Sequence, residues 1–166
     1  MAAPWRPLIT GTLKWDAAVG TLAVGMFAEL RKTVLPADVA AYAALLGDTN
    51  PLHLDAAFAA GTQFKRPIAH GMLSAGLIPT IFGATIPSCV YVSQTLHFRR
   101  PVFVGDAVTA RIAVAAVRLV PARGGAAGAQ QPLVTCTTVV TLDGTGKVAL
   151  DGESVCMLPP LPRALA

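Results

Sequence analysis

Charge is scarce in this sequence. Lysine and arginine number 13 and aspartate and glutamate 9 in 166 residues, so 13% of the chain is charged against 54% hydrophobic. An apolar surface on that scale points to a buried oligomer interface. The basic residues are scattered or in short pairs, Lys65-Arg66 and Arg99-Arg100, for a formal net charge of +4. A nucleic-acid surface needs a basic stripe interleaved with aromatics, and this pattern excludes one. Cysteine is scarce as well: Cys89, Cys136 and Cys156 are odd in number, far apart and set in apolar runs, with no CxxC pair. That excludes a disulfide framework and a zinc ribbon, and reads as buried reduced thiols. The opening stretch "MAAPWRPLITGTLKW" lacks the long apolar core of a secretion signal and has no acid before Asp16, which leaves weak mitochondrial targeting open. The expected location is cytoplasmic in a bacterium and mitochondrial in a eukaryote.

Nothing between Gly71 and Leu96 is charged, a length that could span a bilayer. Gly76, Pro79, Gly83 and Pro87 interrupt the run, and from Cys89 it switches to alternation. The segment is therefore read as a buried helix from Gly71 to near Gly83 followed by a strand, not as a membrane span.

Periodicity supplies the rest of the layout. "FAELRKTV" (27–34) is a first strand. Pro36 opens a helix with Val39, Tyr42, Ala43 and Leu46 at helical spacing, and Gly47 stops it. Asn50-Pro51 starts a second, short helix through about Ala60. Strands follow at 89–98, with Val90, Val92, Leu96 and Phe98 on its apolar face, then at 107–120, 133–142 and 147–158. "PARGGAAGAQQP" (121–132) is a flexible loop and "LPPLPRALA" an irregular tail. The expectation is one domain over 1–166 of α+β class, with a core at about 27–158: a curled, mostly antiparallel sheet around one long apolar helix.

Against that apolar background "GDTNPLHLD" (47–55) concentrates polar groups. Asp48 and His53 stand five residues apart across a bend, where a carboxylate and an imidazole can converge on one water. Gly71, at the start of the apolar helix, offers an unobstructed backbone N–H to developing negative charge. Asn50 is read as a helix cap that can also touch substrate, Asp55 as an acid complementing a helix dipole, and His70 as a loop-holding group. Tyr42 and Phe58 are core or pocket wall. His97 is a surface or cross-strand residue.

"GDTNPLHLD" followed by "RPIAHGMLSAGLI" and "SQTLHFRRPVFVGDAVTA" resembles the MaoC-like, R-specific enoyl-CoA hydratases and 3-hydroxyacyl-thioester dehydratases of the hotdog fold. The resemblance implies reversible addition of water to a trans-2-enoyl thioester, without metal or other cofactor, by Asp48, His53 and the Gly71 N–H. It implies binding of an acyl-CoA or acyl-carrier-protein thioester, with Asn50 and His70 near the substrate and Lys65, Arg66, Arg99 and Arg100 as candidates for its phosphates. It also implies a homodimer. The chain departs from the family where a serine is usual, at Pro79, so Ser74 or Thr80 is left to supply a hydroxyl, and the proline should bend or shorten the helix. A hotdog acyl-thioesterase and a non-catalytic scaffold subunit are the rival functions. The scaffold should lack the aspartate and histidine that are both present here.

Overall fold

Two alternating runs form the middle of the sheet. Val108, Ala110, Ile112 and Val114 are buried, and so are the residues opposite on the next strand, Val140, Thr138 and Cys136. Side chains at every second position share a face, so these two strands turn one apolar face to the core. The computed structural model describes residues 7–15, 22–122 and 128–161. In chain order the elements are β1 (Ile9–Gly11), β2 (Phe27–Thr33), α1 (Pro36–Leu46), α2 (Pro51–Leu54), α3 (Ala56–Gly61), α4 (Gly71–Ala75), α5 (Leu77–Thr85), β3 (Val90–Gln94), β4 (His97–Phe98), β5 (Ala107–Pro121), β6 (Gln130–Leu142) and β7 (Lys147–Met157). One sheet runs β1-β2-β5-β6-β7-β3, with β4 also beside β7, and every pairing in it is antiparallel. Leu77, Ile78, Ile81 and Phe82 of α5 are buried against it, in one core with Leu30, Ile112, Val140 and Leu150. This is the expected α+β architecture. No described helix is long and apolar enough to cross a membrane.

Three expected elements are each divided in two. The apolar helix breaks at Gly76, which closes α4 with its N–H on the Met72 carbonyl at 2.9 Å, and α5 continues to Thr85 instead of ending near Gly83. Pro79 gives the reason, since it has no N–H and its ring opposes the carbonyl four residues back, that of Ala75. The bend therefore falls upstream of the proline, and Pro79 itself sits in the first turn of α5. The expected helix over 51–60 breaks at Asp55, whose side chain accepts from the Ala57 and Phe58 N–H groups at 2.8 and 3.0 Å and starts α3 afresh. Asp55 is thus an N-cap and not an acid within a first turn.

The third division, between β3 and β4, reverses the expected faces. Val90, Val92 and Phe98 are exposed, Leu96 is half-buried, and Tyr91 is the residue that packs inward, edge-on to Phe82 at 5.7 Å. A bulge between Tyr91 and Ser93 shifts the register, so alternation does not carry through. Glycine at 152 lets the chain break there. A Cβ on that residue would stand 2.0 Å from the Thr95 carbonyl oxygen, and the Thr95 N–H donates to the Glu153 carbonyl at 2.9 Å.

The loop over 121–132 is shorter than expected, because β5 runs through Pro121 and β6 begins at Gln130; residues 123–127 lie outside the described residues. The tail over 158–161 has no regular structure but is anchored. Leu158 is buried, and the Leu158 and Leu161 N–H groups donate to the Pro132 and Gln130 carbonyls at 2.9 Å.

Candidate active site

Gly47 positions Asp48. With φ at +77° it ends α1 in the left-handed conformation, its N–H on the Ala43 carbonyl at 2.8 Å, and the chain turns out of the helix with Asp48 half-exposed in the bend. Asn50 begins α2 by accepting the Leu52 N–H on its side-chain oxygen at 3.0 Å, with Pro51 in the first turn. One turn later comes His53, as the sequence predicts.

The segment from Pro67 to His70 closes the arrangement. On one side it is held by the Ala69 N–H on the Val102 carbonyl (2.8 Å) and the Val104 N–H on the Pro67 carbonyl (3.1 Å). On the other, the Ile68 carbonyl lies 2.7 Å from His53 Nδ1. A carbonyl only accepts, so Nδ1 carries the proton, and the neutral ring keeps its lone pair on Nε2. By the same argument His70 Nε2 donates to the Asp48 backbone carbonyl at 3.0 Å. That nitrogen is also 3.8 Å from Asp48 Oδ2. The His70 ring is buried between two others, 3.9 Å from the His53 centroid and 4.9 Å from that of Tyr42. Tyr42 is thus a supporting wall, whereas Phe58 is exposed.

One polar atom each of Asp48, His53 and His70 lies within 4.8 Å of the others. Such a trio could be considered for a metal ion. Yet the His70 nitrogen nearest the Asp48 carboxylate, Nε2, already donates to a carbonyl and has no lone pair for a cation there, whereas His53 keeps its lone pair on Nε2. The trio suits proton transfer better.

Beside it opens a cleft of about 300 Å³ lined by His53, Gly71 and Ser74, by apolar Ala69, Val102 and Leu150, and at its rim by Phe98, Arg99 and Arg100. Gly71 is exposed at the first position of α4. A side chain there would meet the Phe98 ring, 2.8 Å from the added carbon, so Phe98 is what bare Gly71 accommodates. Of the four candidate phosphate ligands, two reach this cleft. Arg99 is held bidentate by Asp151 at 2.9 and 3.1 Å, and Arg100 donates to the Val148 carbonyl at 2.8 Å. Arg66 instead pairs with Asp106 at 3.1 Å and lies over the Phe103 ring, and Lys65 is in a turn at φ +65°; neither lines the cleft. His97 faces Asp151 of β7 at 3.4 Å, the cross-strand role expected of it. Of the two hydroxyls the sequence offers near Pro79, Ser74 lines the cleft, and Phe98 is the lining residue that sequence reasoning left out of the site. Alternation over 89–98 groups Phe98 with Val90 and Val92 on one apolar face, and only its approach to Gly71 reveals its place beside the cleft.

A match to the MaoC-like domain family spans residues 22–130. The chain belongs to the MaoC-like family. Among its relatives is the (R)-specific enoyl-CoA hydratase of Aeromonas caviae, 46% identical over 141 residues, which are 84% of this chain and 97% of that protein. The solved (R)-hydratase structure from the same organism superposes with a TM-score of 0.74, covering 84% of this chain and 98% of the other. A mitochondrial 3-hydroxyacyl-[acyl-carrier-protein] dehydratase of Solanum lycopersicum is 33% identical, over 88% of this chain and 83% of its own length. A Mycobacterium tuberculosis protein described as a double hotdog fold, 23% identical with a TM-score of 0.70, adds the fold alone and supports reading this MaoC-like chain as a hotdog.

Proposed function

We propose that this protein catalyses R-specific hydration of trans-2-enoyl thioesters and the reverse dehydration of R-3-hydroxyacyl thioesters, as a hydro-lyase. The observation that supports the reading is the fixed tautomer of His53: Nδ1 is committed to the Ile68 carbonyl, which leaves the lone pair on Nε2 of a ring that lines the cleft and has a nitrogen within 4.8 Å of an Asp48 carboxylate oxygen. A water between them loses a proton to Nε2 as its oxygen bonds to Cβ. Asp48 orients that water and offsets the positive charge on the imidazolium, which returns the proton to Cα. Electron density displaced from the C=C bond gathers meanwhile on the thioester oxygen. The Gly71 N–H is the donor for that oxygen, where a single such bond is worth about 2.7–4 kcal/mol in the transition state. Asn50 and His70 act by holding the bend that carries Asp48. Arg99 and Arg100 at the rim are placed for the phosphates of a CoA or carrier-protein arm.

The chain works, in this reading, as a homodimer. β3 ends the sheet on one side, and its exposed Val90 and Val92 give an apolar edge that a second copy would cover. The relatives named above are called hydratases and dehydratases, and both words describe this reaction in its two directions.

The test is crotonyl-CoA, followed by loss of the conjugated thioester absorbance with the product resolved by chirality. R-3-hydroxybutyryl-CoA is expected. An S product would overturn the stereochemistry, and free CoA with an intact enoyl chain would make the protein a thioesterase.

A further inference from the structure

Ser74 lines the cleft, is 2% exposed, and its Oγ has no hydrogen-bond partner. A hydroxyl in a helix usually turns back to the carbonyl three or four residues earlier. Thr80 and Thr85 do so, donating to the Gly76 and Ile81 carbonyls at 2.8 and 2.7 Å. Ser74 does not. A buried hydroxyl without a partner is destabilising, so its retention at a cleft wall calls for a partner that arrives in the cleft. Thr138, also buried and unpartnered, lies on a strand away from the lining and carries no such implication.

We propose that Ser74 holds the β-oxygen of the reaction: the water before it adds to Cβ, and the 3-hydroxyl afterwards. The inference rests on the hydratase reading of the cleft. Gly71 and Ser74 lie three residues apart on α4, roughly 4.5 Å along its axis, and both line the cleft. Gly71 is exposed and Ser74 buried, so the second is deeper. A thioester whose carbonyl oxygen meets the Gly71 N–H extends its acyl chain inward, and Cβ, two bonds beyond the carbonyl carbon, comes to the level of Ser74. The chemistry also fits the β-oxygen better than the thioester oxygen. A serine hydroxyl both donates and accepts, as do water and an alcohol, whereas a thioester oxygen only accepts. Thr80, the other hydroxyl near Pro79, already donates to a carbonyl and does not line the cleft, so Ser74 is the hydroxyl this chain can offer.

The experiment compares ligands with and without a β-oxygen. For Ser74→Ala, kcat of crotonyl-CoA hydration should fall about tenfold, as expected for one lost hydrogen bond, with the KM for (R)-3-hydroxybutyryl-CoA rising similarly in the dehydration direction. Affinity for butyryl-CoA, which has no β-oxygen, should be unchanged, and the melting temperature should hold or rise because an unpaired hydroxyl has gone. Ser74→Cys, nearly equal in volume but a weak donor, should show the same split, and Ser74→Thr should retain most of kcat. Unchanged kcat in the alanine variant, or equal weakening for butyryl-CoA and 3-hydroxybutyryl-CoA, would overturn the proposal while leaving the hydratase reading intact. A parental protein unable to hydrate crotonyl-CoA would overturn both.

Discussion

At His53 the ring is held by a backbone carbonyl on one side and stacked on His70 at the other, so its loss removes a proton acceptor with little effect on the core. His53→Ala and Asp48→Asn should each lower kcat by roughly 10²–10⁴ with the far-ultraviolet spectrum unchanged. The double variant should be little worse than either single one, because groups that act on one water fail together. Gly71→Ala is a subtler case. The added methyl meets Phe98, an exposed and movable ring, so the fold should tolerate it. If the ring alone obstructs the cleft, removing Phe98 as well should restore turnover. If the glycine N–H binds the thioester oxygen, the Gly71→Ala/Phe98→Ala double variant should stay impaired, and steady-state kinetics on the two variants separates the cases. The thiols give a chemical check on the core. Burial pushes the Cys136 thiol up to about 12 and raises Cys156 further, so both should resist iodoacetamide at pH 8 until the protein unfolds.

Among the elements, the joint between β3, β4 and β7 holds the rim of the cleft. Asp151 lies opposite His97 in that ladder, and its hydrogen bonds to Arg99, then the nearby His97, hold its carboxyl below the usual aspartate range. A depressed carboxyl contributes to the clip above the ordinary aspartate pKa, and the contribution is lost as pH falls through the lowered value. Carbon-detected titration should find the Asp151 carboxyl below the ordinary aspartate range, and Arg99→Gln should return it toward that range. Gly152→Ala should cost about 1–3 kcal/mol in a denaturant melt, since its methyl is blocked by a backbone oxygen that cannot swing aside. These joints also mark how far the sequence was legible. Helix α1 and its glycine stop, the strands over 107–120 and 147–158, and the Asp48 bend follow from local signals of period, cap and turn. The break at Gly76 also follows from a local signal, the bend expected of Pro79, whereas those at Asp55 and Thr95 do not. Each depends on what a neighbouring segment occupies or on a side chain choosing a backbone donor, and the outward turn of Val92 and Phe98 required a bulge that alternation cannot announce.

For the molecule as a whole, the scarcity of charge has a visible outlet. Leu45, Leu46, Met72, Val90, Val92 and Phe98 are large, apolar and exposed in the single chain. Light scattering at micromolar concentration should give a dimer, and Val92→Lys on the free edge should shift it toward monomer, since a charge on an edge strand opposes pairing. The closeness of Asp48 and His53 was readable because both fall on one short stretch of chain. The cleft was not, because its walls combine His53 and Phe64 with residues from Ile68 to Ser74, from Phe98 to Val102, and Ala149 and Leu150, brought together by a sheet order that no local pattern encodes.

That separation has an evolutionary reading. Asp48, His53, His70 and Gly71 lie within one contiguous stretch of 47–71, which backbone bonds at Pro67 and Ala69 and the Arg66–Asp106 pair tie to the segment 102–106. The far wall, Pro101, Val102, Ala149 and Leu150, belongs to other segments that supply none of the groups the proposed reaction uses. Mutation can therefore reshape the space for the acyl chain while the reaction is preserved, and selection can tune one without renegotiating the other. A lineage carrying this chain could diversify its substrates by drifting at those four wall positions alone.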